Sequence, residues 1–130
     1  MKWTTPVTVA TEKGYLRHGM PILMMGSCFA DHIGSYLQEA KFDVCLNPYG
    51  TLYNPESIAS AIERLAEGRP YEEEELRYDG FLWYSYMHHG SFSSPDRSAA
   101  LQAMNRSYKR AADLLPRCQR LIATWGTAYV

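Results

Sequence analysis

The chain has almost no net charge, no paired cysteines and no long apolar run, and each absence removes a class of function. Thirteen Lys and Arg against fourteen Asp and Glu leave a formal charge of −1. That balance gives no electrostatic pull toward nucleic acid or an anionic membrane surface. The three cysteines, Cys28, Cys45 and Cys118, are scattered without any Cys-x-x-Cys pair. Neither a disulfide framework nor a structural zinc site is therefore expected. No stretch approaches the roughly 20 apolar residues of a membrane span, and Met1-Lys2-Trp3-Thr4-Thr5-Pro6 lacks the apolar core of a signal peptide. A cytoplasmic, reducing compartment is the expectation, with no membrane, metal or cofactor implied.

Two phosphate-binding patterns are also missing. A phosphate-binding glycine loop needs Gly-Lys-Ser/Thr to close it, but Asp31 stands five positions after Gly26. A Cys-x5-Arg phosphatase loop fails because the sixth residue after Cys28 is Gly34.

What is present is ordinary for one soluble domain: 130 residues, 46% hydrophobic and 21% charged. Ten tyrosines are many for this length, and they read as half-buried at the core margin, with an aromatic-lined groove as the alternative. The most informative stretch is Pro21-Ile22-Leu23-Met24-Met25-Gly26-Ser27-Cys28-Phe29-Ala30-Asp31. An apolar run, two-faced like a central parallel strand, ends in glycine. Phe29, Ile33 and Leu37 then recur at helical spacing. Strand, sharp turn and helix start follow within a few residues. Ser27 and Cys28 would sit at the positive end of that helix, where developing negative charge and a thiolate are favoured.

The remaining elements follow from local signals. Met1 to Gly19 reads as an extended arm, with an edge strand suggested by the alternating Val7 and Val9. The first helix runs to about Ala40, and Phe42–Leu46 is the second strand. Asn54 before Pro55 makes a helix start, and Gly68 a stop. Glu72 to Glu75 reads as a solvated face with no partner. Tyr78 to Tyr84 reads as a hairpin turning at Asp79-Gly80. Pro95 and Asp96 open a long helix with an apolar face of Leu101, Met104, Tyr108, Ala111 and Leu115, ended by Pro116. Arg120 to Trp125 is a third strand. Alternating strands and helices predict an α/β fold with a parallel sheet. Ile22–Met25 should be central, flanked by the other two strands.

In such a sheet the strand-to-helix loops gather at the carboxyl edge, where ligands bind. Gly26-Ser27-Cys28, Asn47 to Gly50 and Gly126-Thr127-Ala128 are those loops, each with a glycine near its strand end. His88 and His89 are adjacent, so on a strand at most one would face the site. They lack the partners a metal site needs, which leaves substrate contact or structural hydrogen bonding. His18 and His32 read as surface residues.

Gly26-Ser27-Cys28-Phe29-Ala30 resembles the motif for which the GSCFA family is named. Asn47-Pro48-Tyr49-Gly50-Thr51-Leu52-Tyr53-Asn54-Pro55, Trp83 with His88-His89, and Trp125-Gly126-Thr127-Ala128 extend the resemblance from about Pro21 to Val130. The family is grouped with SGNH or GDSL-like hydrolases. The resemblance implies a three-layer α/β/α flavodoxin-like sheet ordered 2-1-3-4-5, with these strands the first three. It also implies deacylation of a small-molecule or saccharide ester. By it, residues 1–130 are the N-terminal portion of a single GSCFA domain; from the open three-stranded sheet itself, the alternative is a chain that completes itself by homo-oligomer formation through the uncovered edge.

Laid over the Gly-Asp-Ser block of SGNH enzymes, Gly26-Ser27-Cys28 puts Cys28 at the nucleophile position, with Ser27 the rival. Gly50 matches the oxyanion glycine; Gly26, Asn47, Gly126 and Thr127 complete the implied binding set. Ala128 stands where the usual asparagine donor is found. The Asp-x-x-His carrying the general base would lie beyond Val130. A binding or oligomerising module without catalysis is the alternative.

Overall fold

Ile22–Gly26 forms β1, and all five residues are buried, as the run of Ile, Leu and two Met requires. Fully burying such side chains stabilises by about 1.5–3 kcal/mol each. The computed structural model describes residues 4–8, 10 and 14–127. α1 follows at Cys28–Glu39, then β2 at Val44–Leu46 and α2 at Pro55–Glu67. A small hairpin of β3 (Arg77–Tyr78) and β4 (Trp83–Tyr84) leads to α3 at Arg97–Leu114 and β5 at Arg120–Thr124.

The sheet order is β2-β1-β5, every pairing parallel. β1 is central and the expected α/β architecture holds. Leu23 stands opposite Cys45 on one side and Leu121 on the other. Leu23 and Met25 point to the face covered by α2 and α3, where Ile58, Ala61, Leu65, Tyr108, Ala111 and Leu114 complete the core. α1 covers the opposite face. β2 and β5 are the edges of the sheet that the described residues form.

The helix ends obey their local chemistry. The Asn54 side chain accepts the Ser57 N–H at 2.8 Å, Pro55 occupies the first turn, and Gly68 closes α2 at φ 66°. Asp96 caps α3 by accepting the Ala99 N–H at 3.1 Å. No helix among the described residues is long and apolar enough to cross a membrane.

Several expectations are corrected. α1 does not bury the Phe29–Ile33–Leu37 row: Phe29 and Ile33 are exposed, and Ala30 and Gly34 face inward. Small residues are needed there because a Cβ at Gly34 would run into the Leu46 side chain. Glu75 has a partner: a 3-10 turn at Glu73–Glu75 aims its carboxylate at the buried guanidinium of Arg64, with two hydrogen bonds of 2.6 and 2.7 Å. Leu114 rather than Leu115 closes the buried face of α3, since Pro116 tightens the end into a 3-10 turn, Leu115–Arg117. The hairpin turns over four residues, Asp79 to Leu82, held by the Asp79 carboxylate on the Phe81 and Leu82 N–H groups. His88 and His89 lie in a loop before a 3-10 turn at Gly90–Phe92, so strand alternation does not govern them. Residues 4–8 and 10 contain no strand, and Val9 lies outside the described residues.

Candidate active site

Gly26 ends β1 at φ 147°, a backbone state that side-chain-bearing residues rarely adopt. A Cβ there would strike the carbonyl oxygen and hydroxyl of Thr124 in β5. This close approach lets the Ser27 N–H donate to the Thr124 carbonyl at 3.1 Å. Ser27 is buried and occupies the N-cap of α1, yet its hydroxyl makes no capping bond. Cys28 is the first helical residue and is exposed. Asp31 is the first amide of the helix to find an acceptor, the Ser27 carbonyl at 3.3 Å. The N–H groups of Cys28, Phe29 and Ala30 are left without one among the described residues.

Asn47 organises the second loop. It is buried with φ 39°, a left-handed state that Asn tolerates. Its N–H donates to the Met24 carbonyl at 2.8 Å and its own carbonyl accepts from Gly50 at 2.8 Å. Its side-chain oxygen accepts the Gly26 N–H at 2.8 Å, and its amide nitrogen donates to the Asp31 carboxylate. The Leu52 N–H reaches the Gly26 carbonyl at 2.8 Å.

The third loop joins through Tyr53, whose carbonyl accepts the Gly126 and Thr127 N–H groups at 2.9 and 3.1 Å. A Cβ at Gly126 would lie 3.2 Å from the Tyr53 ring and 3.6 Å from the Ser27 Cβ. Thus Gly26, Ser27, Asn47, Gly50, Gly126 and Thr127 are brought to one corner of the sheet, with Cys28 on its open side. The N–H groups of Gly26, Asn47, Gly50, Gly126 and Thr127 all donate within this network. Among the donors left open in the described residues are those of the first turn of α1. Ala128 lies outside the described residues.

The two histidines part company. His89 is exposed and joins the corner: its N–H donates to the Tyr49 carbonyl at 2.8 Å, and its Cβ lies against Gly50, where a side chain would collide. Its Nδ1 is within hydrogen-bond distance of the Ser91 hydroxyl and N–H. His88 turns away into a cage of Tyr71, Tyr49 and Phe92, with ring centroids 4.5, 5.1 and 5.1 Å distant. Both its ring nitrogens are buried and lack a hydrogen-bond partner among the described residues. Burial, with help from Arg64, holds the imidazole down to about 4.

Residues that sequence reasoning missed are Asp31, Thr124 and Tyr53. Asp31 was legible only as a first-turn acid suited to the helix dipole, with no local signal pairing it to Asn47. Burial pushes the Cys45 thiol up, opposite to what a reactive thiolate needs. No group of three His, Cys, Asp or Glu among the described residues is placed to hold a metal ion.

Comparison with known proteins returned no matching curated protein and no matching solved structure. The family comparison did match, over residues 21–130, which contain every loop of this corner. The chain belongs to the GSCFA family.

Proposed function

We propose that the chain carries the nucleophile and oxyanion site of an SGNH-like acyl-ester hydrolase, with Cys28 as nucleophile. The observation behind this reading is the placement of Cys28. It is exposed at the head of α1, beside backbone donors that have no acceptor among the described residues. Attack joins Sγ to the ester carbonyl carbon and moves the carbonyl electron pair onto oxygen. The N–H groups of Cys28 and Phe29, at the positive end of α1, are suited to that oxyanion. Collapse expels the alkoxide, which takes a proton, and leaves a thioester. Water then cleaves the thioester to the acid and restores the thiol. A small-molecule or saccharide ester fits the exposed rings of Phe29, Tyr53 and Trp125 near the corner. Ser27, buried one residue earlier, is the second nucleophile candidate.

One observation favours a second reading, a ligand-binding or oligomerising module on the same fold. Neither Cys28 nor Ser27 is hydrogen-bonded through its side chain to a histidine or carboxylate among the described residues. A general base is thus not paired with either, and turnover by this chain should be slow, since losing a triad member costs several orders of magnitude.

The two readings separate in one experiment. Iodoacetamide should alkylate Cys28 at least about tenfold faster than Cys45 or Cys118, followed by peptide mass. Excess p-nitrophenyl acetate should leave one acetyl group on Cys28, absent in Cys28→Ala and retained in Ser27→Ala. Equal labelling of the three thiols with no acetylation would sink the thiol mechanism and favour the binding module.

A further inference from the structure

The segment from Ser85 to Phe92 is fastened to the candidate site at two adjacent residues, by different means. His88 is fastened by its ring, enclosed by Tyr49, Tyr71 and Phe92. His89 is fastened by its backbone, through the 2.8 Å bond to the Tyr49 carbonyl, and by its Cβ against Gly50. Tyr49 is fully buried, and its hydroxyl donates to the Ala61 carbonyl at 3.2 Å, so the turn itself is anchored to α2. The other half of the contact is the 85–92 segment, which also packs Met87 on the main core and Phe92 on the Leu76, Ala100 and Met104 cluster. We propose that His88 is a pH-sensitive latch, holding this segment on the Tyr49–Gly50 turn at neutral pH and releasing it on acidification.

The cage accepts the neutral ring only. A protonated imidazole has two N–H donors, and both nitrogens are buried without an acceptor among the described residues. Of the groups around it, Asp79 of the hairpin lines the same surface pocket as His88, with its carboxylate accepting the Phe81 and Leu82 N–H groups. Tyr49 comes from the β2–α2 loop, Tyr71 from the segment after α2, and Phe92 from the 3-10 turn. The other nearby charges are Arg64 of α2, whose guanidinium lies 3.6 Å over the Tyr71 ring, and Glu75. Both Glu75 carboxylate oxygens already accept from Arg64, so Glu75 is not free to receive the imidazolium. Tyr108 of α3 packs on Tyr71 with centroids 6.3 Å apart and adds no charge. Protonation therefore requires the ring to leave, and the adjacent His89 amide leaves the Tyr49 carbonyl with it.

The sign follows from linkage. His88 titrates near its ordinary value of 6.5 when released and at about 4 when caged, so release takes up a proton. From about pH 7.5 to about pH 5 the released-to-latched ratio should rise about 25-fold. Because Gly50 belongs to the candidate site, release would loosen that site. This consequence rests on the proposed function, whereas the latch itself does not.

Amide hydrogen exchange, read as protection factors residue by residue, tests the latch without any ester. On acidification across that range the His89 amide should lose about 25-fold of its protection while remaining far less protected than Leu23 in β1, the mark of a local opening rather than global unfolding. His88→Phe, which fills the cage with a ring that cannot be protonated, should cut the His89 change to under about threefold. Unchanged His89 protection in the native protein, an equal loss in His88→Phe, or His89 protection no lower than that of Leu23 would each overturn the latch. Should His88→Phe not fold, the imidazole resonance of His88 in the native protein decides. It should stay neutral until His89 protection falls, and titration near the ordinary histidine value with protection intact would refute the proposal.

Discussion

Replacing Asn47 by Ala removes the side chain that ties the end of β1 to the first turn of α1, and its cost can be built from the contacts. The Gly26 N–H loses its acceptor among the described residues, a penalty of about 1–3 kcal/mol for a buried unpaired donor. Asn47 sits at φ 39°, where Ala is disfavoured by about 1 kcal/mol more than Asn. The Asp31 carboxylate also loses the Asn47 amide, but it is only partly buried and rehydrates, so about 0.5 kcal/mol is assigned to that bond. The total is about 2.5–4.5 kcal/mol, a large share of the roughly 5–15 kcal/mol that holds a typical domain folded. Urea unfolding followed by tryptophan fluorescence gives the loss directly, provided the m-value is unchanged. Asn47→Gly deletes the same side chain but accepts the left-handed backbone, so it should be about 1 kcal/mol less damaging than Asn47→Ala. A loss below about 1 kcal/mol for Asn47→Ala, or a Gly variant as unstable as the Ala variant, would show that neither the buried bond nor the backbone state carries the assigned energy.

Other perturbations test other contacts. Gly50→Ala places a Cβ on His89 at φ 77°, costing about 1–3 kcal/mol of backbone strain alone. Hydrogen exchange should show the His89 amide losing more protection than Leu23, whose loss is set by the fall in global stability. Arg64→Ala removes a buried guanidinium from Glu75, and because the Glu75 side chain is 32% exposed the cost should be about 2 kcal/mol rather than the 3–5 of a fully buried pair, measured by the same urea assay. Hydrogen bonds from Arg64, outweighing burial, hold the Glu75 carboxyl below its ordinary value of 4.5. A depressed acid stabilises above that value and loses the contribution as pH falls through it. Glu75→Gln should therefore flatten the acid limb of a plot of urea midpoint against pH, and an unchanged limb would remove Glu75 from the account.

The sequence by itself determined what is decided within a few residues. Ile22 to Met25 is too apolar for anything but a strand buried on both faces. Gly26 must end it, because the chain turns there at φ 147° against Thr124. Asn54-Pro55, Gly68 and Asp96 mark helix ends through bonds spanning three or four residues, such as Ser57 N–H to Asn54. Once strands and helices alternate, the rules of parallel crossovers leave few sheet orders, and β2-β1-β5 is among them.

Only the tertiary structure decided which groups meet. Asn47 reaches Gly26 across 21 residues and Asp31 across 16, while Arg64 and Glu75 pair around a bend that no local pattern announces. Apolar spacing pointed to Phe29, Ile33 and Leu37 as the inner face of α1. The close approach of the helix to Leu46 selected Ala30 and Gly34 instead. His88 and His89 are neighbours in sequence and chemically identical. One is sealed in an aromatic cage and the other lies open over Gly50, because the surroundings that separate them come from Tyr49, Tyr71 and Phe92, residues that folding alone assembles.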